Sequence, residues 1–204
     1  MASILAMTSW MPSVTALVLG AASLGAVEIT LTFTAPPPEA VAVWYEGRTG
    51  RLPATVTVDQ VERTFTPAVV IAAPGATLEI RNSDTQQHNV FALDGRLKQD
   101  VDLGLGAPGS LLTRAVDWPA GEVLRHGCKI HPDMRLWVVC TTSPEAVGQR
   151  LERGKRAVVL HLPGDPGPVR LWAPRLDPLV LAPGATLPLT LAGRPIGTAH
   201  ADGP

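Results

Sequence analysis

The stretch EVLRHGCKIHPDMRLWVVCT, residues 122–141, decides the reading of this chain. Glu122 to Arg125 reads as a short strand, and Arg135 to Thr141 as a strong apolar one. Between them lies Gly127-Cys128-Lys129-Ile130-His131-Pro132-Asp133-Met134. A tight loop joining two strands can aim Cys128, His131 and Met134 at one point. A second imidazole, His88, opens another short strand, His88 to Leu93, about forty residues upstream.

The surroundings are strand-like. Ile29, Leu31 and Phe33 alternate with threonines, as in a half-buried strand. Val41 to Tyr45, Val56 with Val58, Val69 to Ala72, Thr77 to Arg81 and Leu111 to Trp118 read as further strands. Pro74-Gly75 and Pro119-Ala120-Gly121 supply turns. Residues 94–110, with Gly104, Gly106 and Gly109, read as loop. Short strands at this spacing predict a β-sandwich. Beyond it, Arg156 to Leu162, Val169 to Trp172, Leu179 to Leu181 and Leu187 to Leu191 form a second β segment. Only Glu145 to Arg153 has helical composition, and residues 195–204 read as a loose tail.

The totals agree. With 20 prolines and 19 glycines in 204 residues, long helices are disfavoured, while 46% hydrophobic residues allow a real core. The formal net charge of -1 gives no sign of a nucleic-acid surface. No charged side chain precedes Glu28, and an apolar run from Val14 ends in small residues near Ala26. Residues 1–26 therefore read as a signal peptide or, in second place, a membrane anchor or a buried helix. The expected layout is 27–144 for the sandwich, 145–194 for a small β segment packed on it, and 195–204 for the tail.

Two imidazoles and a thiolate in a trigonal plane, with a weak axial thioether, form the ligand set of blue-copper electron-transfer sites. His88, Cys128, His131 and Met134 supply that set. Structural zinc fits less well, because methionine is not among its usual ligands. A multicopper oxygen-reducing cluster would need paired His-x-His motifs, which the five histidines do not form. Other readings stay open. Cys128 and Cys140 could form a disulfide, and Met134 could be a core methionine. Cys140 alternates with Leu136 and Val138 and reads as a buried small hydrophobe. His126 reads as a loop or surface histidine.

Residues 41–142 resemble the cupredoxins of the plastocyanin and amicyanin type, and in particular a bacterial group of methylamine utilization or plastocyanin-like proteins. The resemblance is carried by Val43-Trp44-Tyr45-Glu46, Asp59-Gln60, Phe65-Thr66-Pro67, Asn82-Ser83-Asp84, His88-Asn89-Val90-Phe91 and Cys128-Lys129-Ile130-His131-Pro132. It implies an all-β Greek-key sandwich and one type 1 copper ion. It also implies that Asn89 braces the ligand loop through hydrogen bonds. Lys129 departs from the group, whose members carry a small polar residue there. Residues 145–194 more weakly resemble carboxypeptidase-regulatory-type β modules, through Arg170-Leu171-Trp172-Ala173-Pro174-Arg175-Leu176.

The function expected from this is that of an exported or periplasmic carrier of single electrons, tethered or free. It would serve an unidentified redox protein partner, with no small-molecule substrate and no enzymatic turnover. A copper delivery, buffering or sensory module is the alternative that the same ligands could serve.

Overall fold

The computed structural model describes residues 25–203. The first eleven strands are β1 Ala26–Phe33, β2 Ala40–Tyr45, β3 Thr55–Val61, β4 Thr64–Thr66, β5 Val69–Ala72, β6 Thr77–Asn82, β7 His88–Asp94, β8 Gln99–Gly106, β9 Leu111–Ala115, β10 Val123–Gly127 and β11 Arg135–Cys140. Six more follow: β12 Ala146–Arg150, β13 Ala157–Pro163, β14 Val169–Trp172, β15 Leu179–Leu181, β16 Thr186–Leu191 and β17 Arg194–Ala201. Among the described residues no helix is long and apolar enough to cross a membrane. The expected signal peptide or anchor falls on residues 1–26, of which 1–24 lie outside the described residues.

These strands build four sheets. The sheets β4-β3-β6-β9 and β5-β11-β10-β7-β8 enclose one core, with Val58, Leu78, Ile80, Val90, Leu124, Leu136 and Val138 at its centre. In this Greek-key-like sandwich β3 pairs parallel with β6, and β5 parallel with β11. Such pairs need a crossover rather than a hairpin. The sheets β12-β2-β14-β15 and β13-β1-β17-β16 enclose a second core around Ile29, Leu31, Val41, Val43, Leu160, Leu171 and Leu189. A third cluster fastens the two inner sheets back to back. It contains Ala40, Ala42, Trp44, Val69, Val123, Trp137 and Val139.

This stacking explains why β2 and β11 read as continuous apolar runs. Successive side chains of a strand point to opposite faces. In β2, Val41, Val43 and Tyr45 enter the second core while Ala40, Ala42 and Trp44 face the joining cluster. In β11, Leu136, Val138 and Cys140 enter the first core while Trp137 and Val139 face the joining cluster. A strand buried on both faces cannot alternate with polar residues.

Four expectations are corrected. Glu145 to Arg153 is not helical: its residues form β12, because Ala146 to Arg150 pair antiparallel with β2. Residues 94–110 are not all loop, since β8 pairs with β7 and forms a sheet edge. Residues 195–204 are not a loose tail, for β17 lies between β1 and β16 with Ala199 and Ala201 fully buried. Finally, β1 and β2 do not belong to the first sandwich. Val27, Ile29, Leu31 and Phe33 alternate into the second core, so that unit is built from both ends of the chain.

The two sandwiches pack tightly at Gly148. A Cβ there would lie 2.4 Å from Cγ1 of Val69. Gly148→Ala is therefore expected to destabilise the protein by about 1–3 kcal/mol through overpacking. Val69→Ala should recover part of that loss in a double-mutant cycle followed by denaturant melting. Additive losses would place the cost elsewhere than in this contact.

Candidate metal centre

The site lies at one end of the first sandwich, where β7 begins and the β10–β11 loop turns. His88 is the first residue of β7 and is fully buried. Cys128 follows the last residue of β10, and Met134 precedes the first residue of β11; each is 2% exposed. Within the loop the Met134 N–H donates to the His131 carbonyl at 3.0 Å, which closes a turn. His131 is only partly buried, and Ile130 beside it is 51% exposed.

The ligand atoms of His88, Cys128 and His131 lie within 4.8 Å of one another. His88 Nδ1 is 3.0 Å from His131 Nδ1, and Cys128 Sγ is 3.8 Å from His131 Nδ1. Metal bonds of about 2.0 Å to nitrogen and about 2.3 Å to thiolate, at 120°, would separate N from S by about 3.7 Å and N from N by about 3.5 Å. The Cys128–His131 spacing is close to this, and the two nitrogens stand somewhat nearer to each other. Met134 joins Cys128 in the same buried cluster.

The chemistry of the donors points the same way. Asp84 Oδ2 lies 3.0 Å from His88 Nε2. The backbone N–H of Arg63, together with the His88 ring, lowers the Asp84 carboxyl to about 2. An ionised carboxylate only accepts, so His88 Nε2 carries the proton and Nδ1 turns a lone pair into the site. A carboxylate behind the outer nitrogen of a ligand histidine fixes its tautomer and raises its basicity. Two imidazole nitrogens 3.0 Å apart need a proton on one of them or a cation between both.

Asn89 connects the two ligand segments. Its backbone N–H donates to Cys128 Sγ at 3.3 Å, and its Oδ1 accepts the Lys129 N–H at 3.3 Å. Its Nδ2 donates to Asp102 Oδ1 at 2.6 Å and to the Gly104 carbonyl at 3.1 Å. Asp102 in turn accepts from Lys129 Nζ at 2.6 Å. That contact, with the Gly104 N–H and the Asn89 amide, lowers the Asp102 carboxyl to about 2. Lys129 thus closes a ring of polar contacts around the loop.

The remaining cysteine and histidines stand apart from this group. Cys128 and Cys140 are both free thiols. Cys140 is fully buried, its Sγ donates to the Trp118 carbonyl at 3.2 Å, and burial raises its thiol to about 11. His126 is not a surface histidine. It is 1% exposed beside Trp118, and burial foremost, with the Arg114 charge, lowers it to about 3. The sequence reading missed Asp102 altogether, and Asp84 entered it only inside a resemblance string. Asp84 had a local signal, four residues before His88. Asp102 sits in the glycine-rich stretch that read as loop.

No protein-family model matches the chain, and no curated protein matches it. Solved structures do. A reduced amicyanin variant has 20% identity and a TM-score of 0.39, covering 44% of this chain and 85% of that one. A purple cupredoxin from Nitrosopumilus maritimus has 16% identity and a TM-score of 0.35, covering 42% of this chain and 98% of that one. A copper-containing nitrite reductase from Thermus scotoductus has 21% identity and a TM-score of 0.37, covering 46% of this chain but only 24% of that one. Each of these likenesses covers less than half of this chain, at low sequence identity.

Proposed function

We propose that the protein is a carrier of single electrons that would hold one copper ion with His88, Cys128, His131 and Met134. The observation that carries this reading is the convergence of two imidazole nitrogens and one cysteine sulfur within 4.8 Å. Copper, when bound, supplies a one-electron couple. The chain supplies the frame. Asp84 fixes the His88 ring, and Asn89 donates to the Cys128 sulfur, as a hydrogen bond that tunes a thiolate donor would. His88 and Cys128 are closed to water, so electrons would enter and leave by the edge of His131, the part-exposed member of the trio. The exposed Ile130 beside it offers an apolar contact for a redox protein partner. An exported location, free or tethered, belongs to the same proposal. Buried ligands favour retention of the ion over delivery to an acceptor.

The test is the visible spectrum during titration with Cu(II). One equivalent should give an intense thiolate-to-copper charge-transfer band and a couple that cycles with the ion retained. A colourless complex at one equivalent would sink the reading. Release of copper to a chelator on each reduction would favour delivery instead.

A second expectation concerns the axial position. Met134→Leu should keep the copper and raise the reduction potential, because a weak donor that stabilises Cu(II) is lost. Voltammetry of both proteins checks this. An unchanged potential would remove Met134 from the ligand set.

A further inference from the structure

On the far side of the metal-bearing sheet, in the seam between the two sandwiches, lies a cavity of about 710 Å3. This is within the range of about 300–1,000 Å3 that small-molecule sites occupy. Four arginines line it: Arg125 on β10, Arg135 at the start of β11, Arg153 in the turn after β12 and Arg175 in the turn after β14. Only two carboxylates line it with them, Glu39 and Glu152. Glu39 is already paired with Arg135. Among the described residues, Arg125, Arg153 and Arg175 form no ion pair. The Arg135 Nε is buried and has no partner.

Gathering like charges around one concavity opposes folding unless something offsets it. Here the whole chain is close to neutral, at -1, yet the cavity carries an excess of two positive charges, four guanidiniums against two carboxylates. Arg175 adds a second anomaly. Its φ of 63° lies in the left-handed region, where glycine would be unstrained. The turn carries a guanidinium there instead. The rest of the wall is mostly apolar, with the Pro36-Pro37-Pro38 run, Leu151, Pro174, Leu191 and the edge of the buried Trp137. Guanidinium forks recognise carboxylate and phosphate groups in two-point contacts, and apolar walls suit a compact organic body.

We propose that this seam cavity binds a small organic polyanion, a molecule bearing at least two carboxylate or phosphate groups on a compact body. The proposal is independent of the copper reading, for no ligand of the metal cluster lines the cavity.

Isothermal titration of the full chain at constant ionic strength tests it. The probes are citrate and benzene-1,3,5-tricarboxylate for the carboxylate arm, pyrophosphate for the phosphate arm, and hexaglutamate as an acidic peptide. One-to-one saturable binding is expected for at least one small anion. Arg153→Gln combined with Arg175→Gly should weaken it at least tenfold. Without any anion, that variant should melt no lower than the wild type, since repulsion and backbone strain are both relieved. No saturable binding below about 10 mM would overturn the proposal, at roughly the weakest affinity worth calling a site. So would undiminished affinity in the double variant, or binding of hexaglutamate alone. A lower melting temperature of the variant without anion would also overturn it, by making the arginines structural props of the seam.

Discussion

Cys128→Ser is expected to abolish the intense visible band that one equivalent of Cu(II) should give, while Cys140→Ala should leave it in place. The two thiols differ in surroundings rather than in burial. Cys128 receives the Asn89 N–H and faces a histidine nitrogen 3.8 Å away. Cys140 looks into an apolar core with one carbonyl acceptor, and its raised thiol stays protonated at neutral pH. A serine hydroxyl cannot supply the sulfur-to-metal charge transfer, so the loss at position 128 should be total and not graded. Weak nitrogen-ligand binding of Cu(II) should survive in that variant. The readout is visible absorption at one equivalent of Cu(II), with circular dichroism to show that the fold persists. A band that survives in Cys128→Ser and vanishes in Cys140→Ala would reassign the thiolate.

The second large effect is expected from removing the chain after Pro144. Strands β1 and β2 would remain but would lose every pairing partner among the described residues, where β1 pairs with β13 and β17 and β2 with β12 and β14. Seven of the eighteen buried residues of the second core would be left on the surface as two apolar strands. Trp137 and Val139 would lose the cover of Ala146 and Trp172. Truncation of one large core residue already costs about 3–5 kcal/mol. For a chain of this size each kcal/mol moves the melting temperature by about 2–4 °C. A drop of more than about 10 °C is therefore expected, together with self-association through the unpaired strands. Thermal melting and size-exclusion chromatography decide it. A monomeric fragment with an unchanged melting temperature would mean that the two sandwiches are energetically separate.

Much of the candidate site was legible in the sequence because its donors are chemically rare and close together. Cys128, His131 and Met134 share one loop, and their residue types limit what they can hold. The strands that bury one face were legible for a similar reason, as Ile29 to Phe33 shows with its strict alternation. What escaped was set by partners distant in sequence. Residues 146–150 include good helix formers, yet five backbone pairings to β2 decide their conformation. The stretch Gln99 to Gly106 alternates Val101, Leu103 and Leu105 with aspartates and glycines, and those glycines made a sheet-edge strand read as loop. Arg194 to Ala201 contains proline and glycine and looks irregular until β1 and β16 flank it. His126 looked like a surface histidine because nothing local reveals Trp118 beside it.

The pairing of β1 with β17 sets a timetable for biosynthesis. Leu31 must wait for Ala199, its partner across the ladder, which is synthesised long after it. The sandwich that carries the His88, Cys128 and His131 cluster is complete by Cys140, well before the other can close. For the interval between, a nascent chain carries the apolar runs of β1 and β2 as open sheet edges. A holding chaperone, or export in an unfolded form, would have to cover them until the last strand arrives.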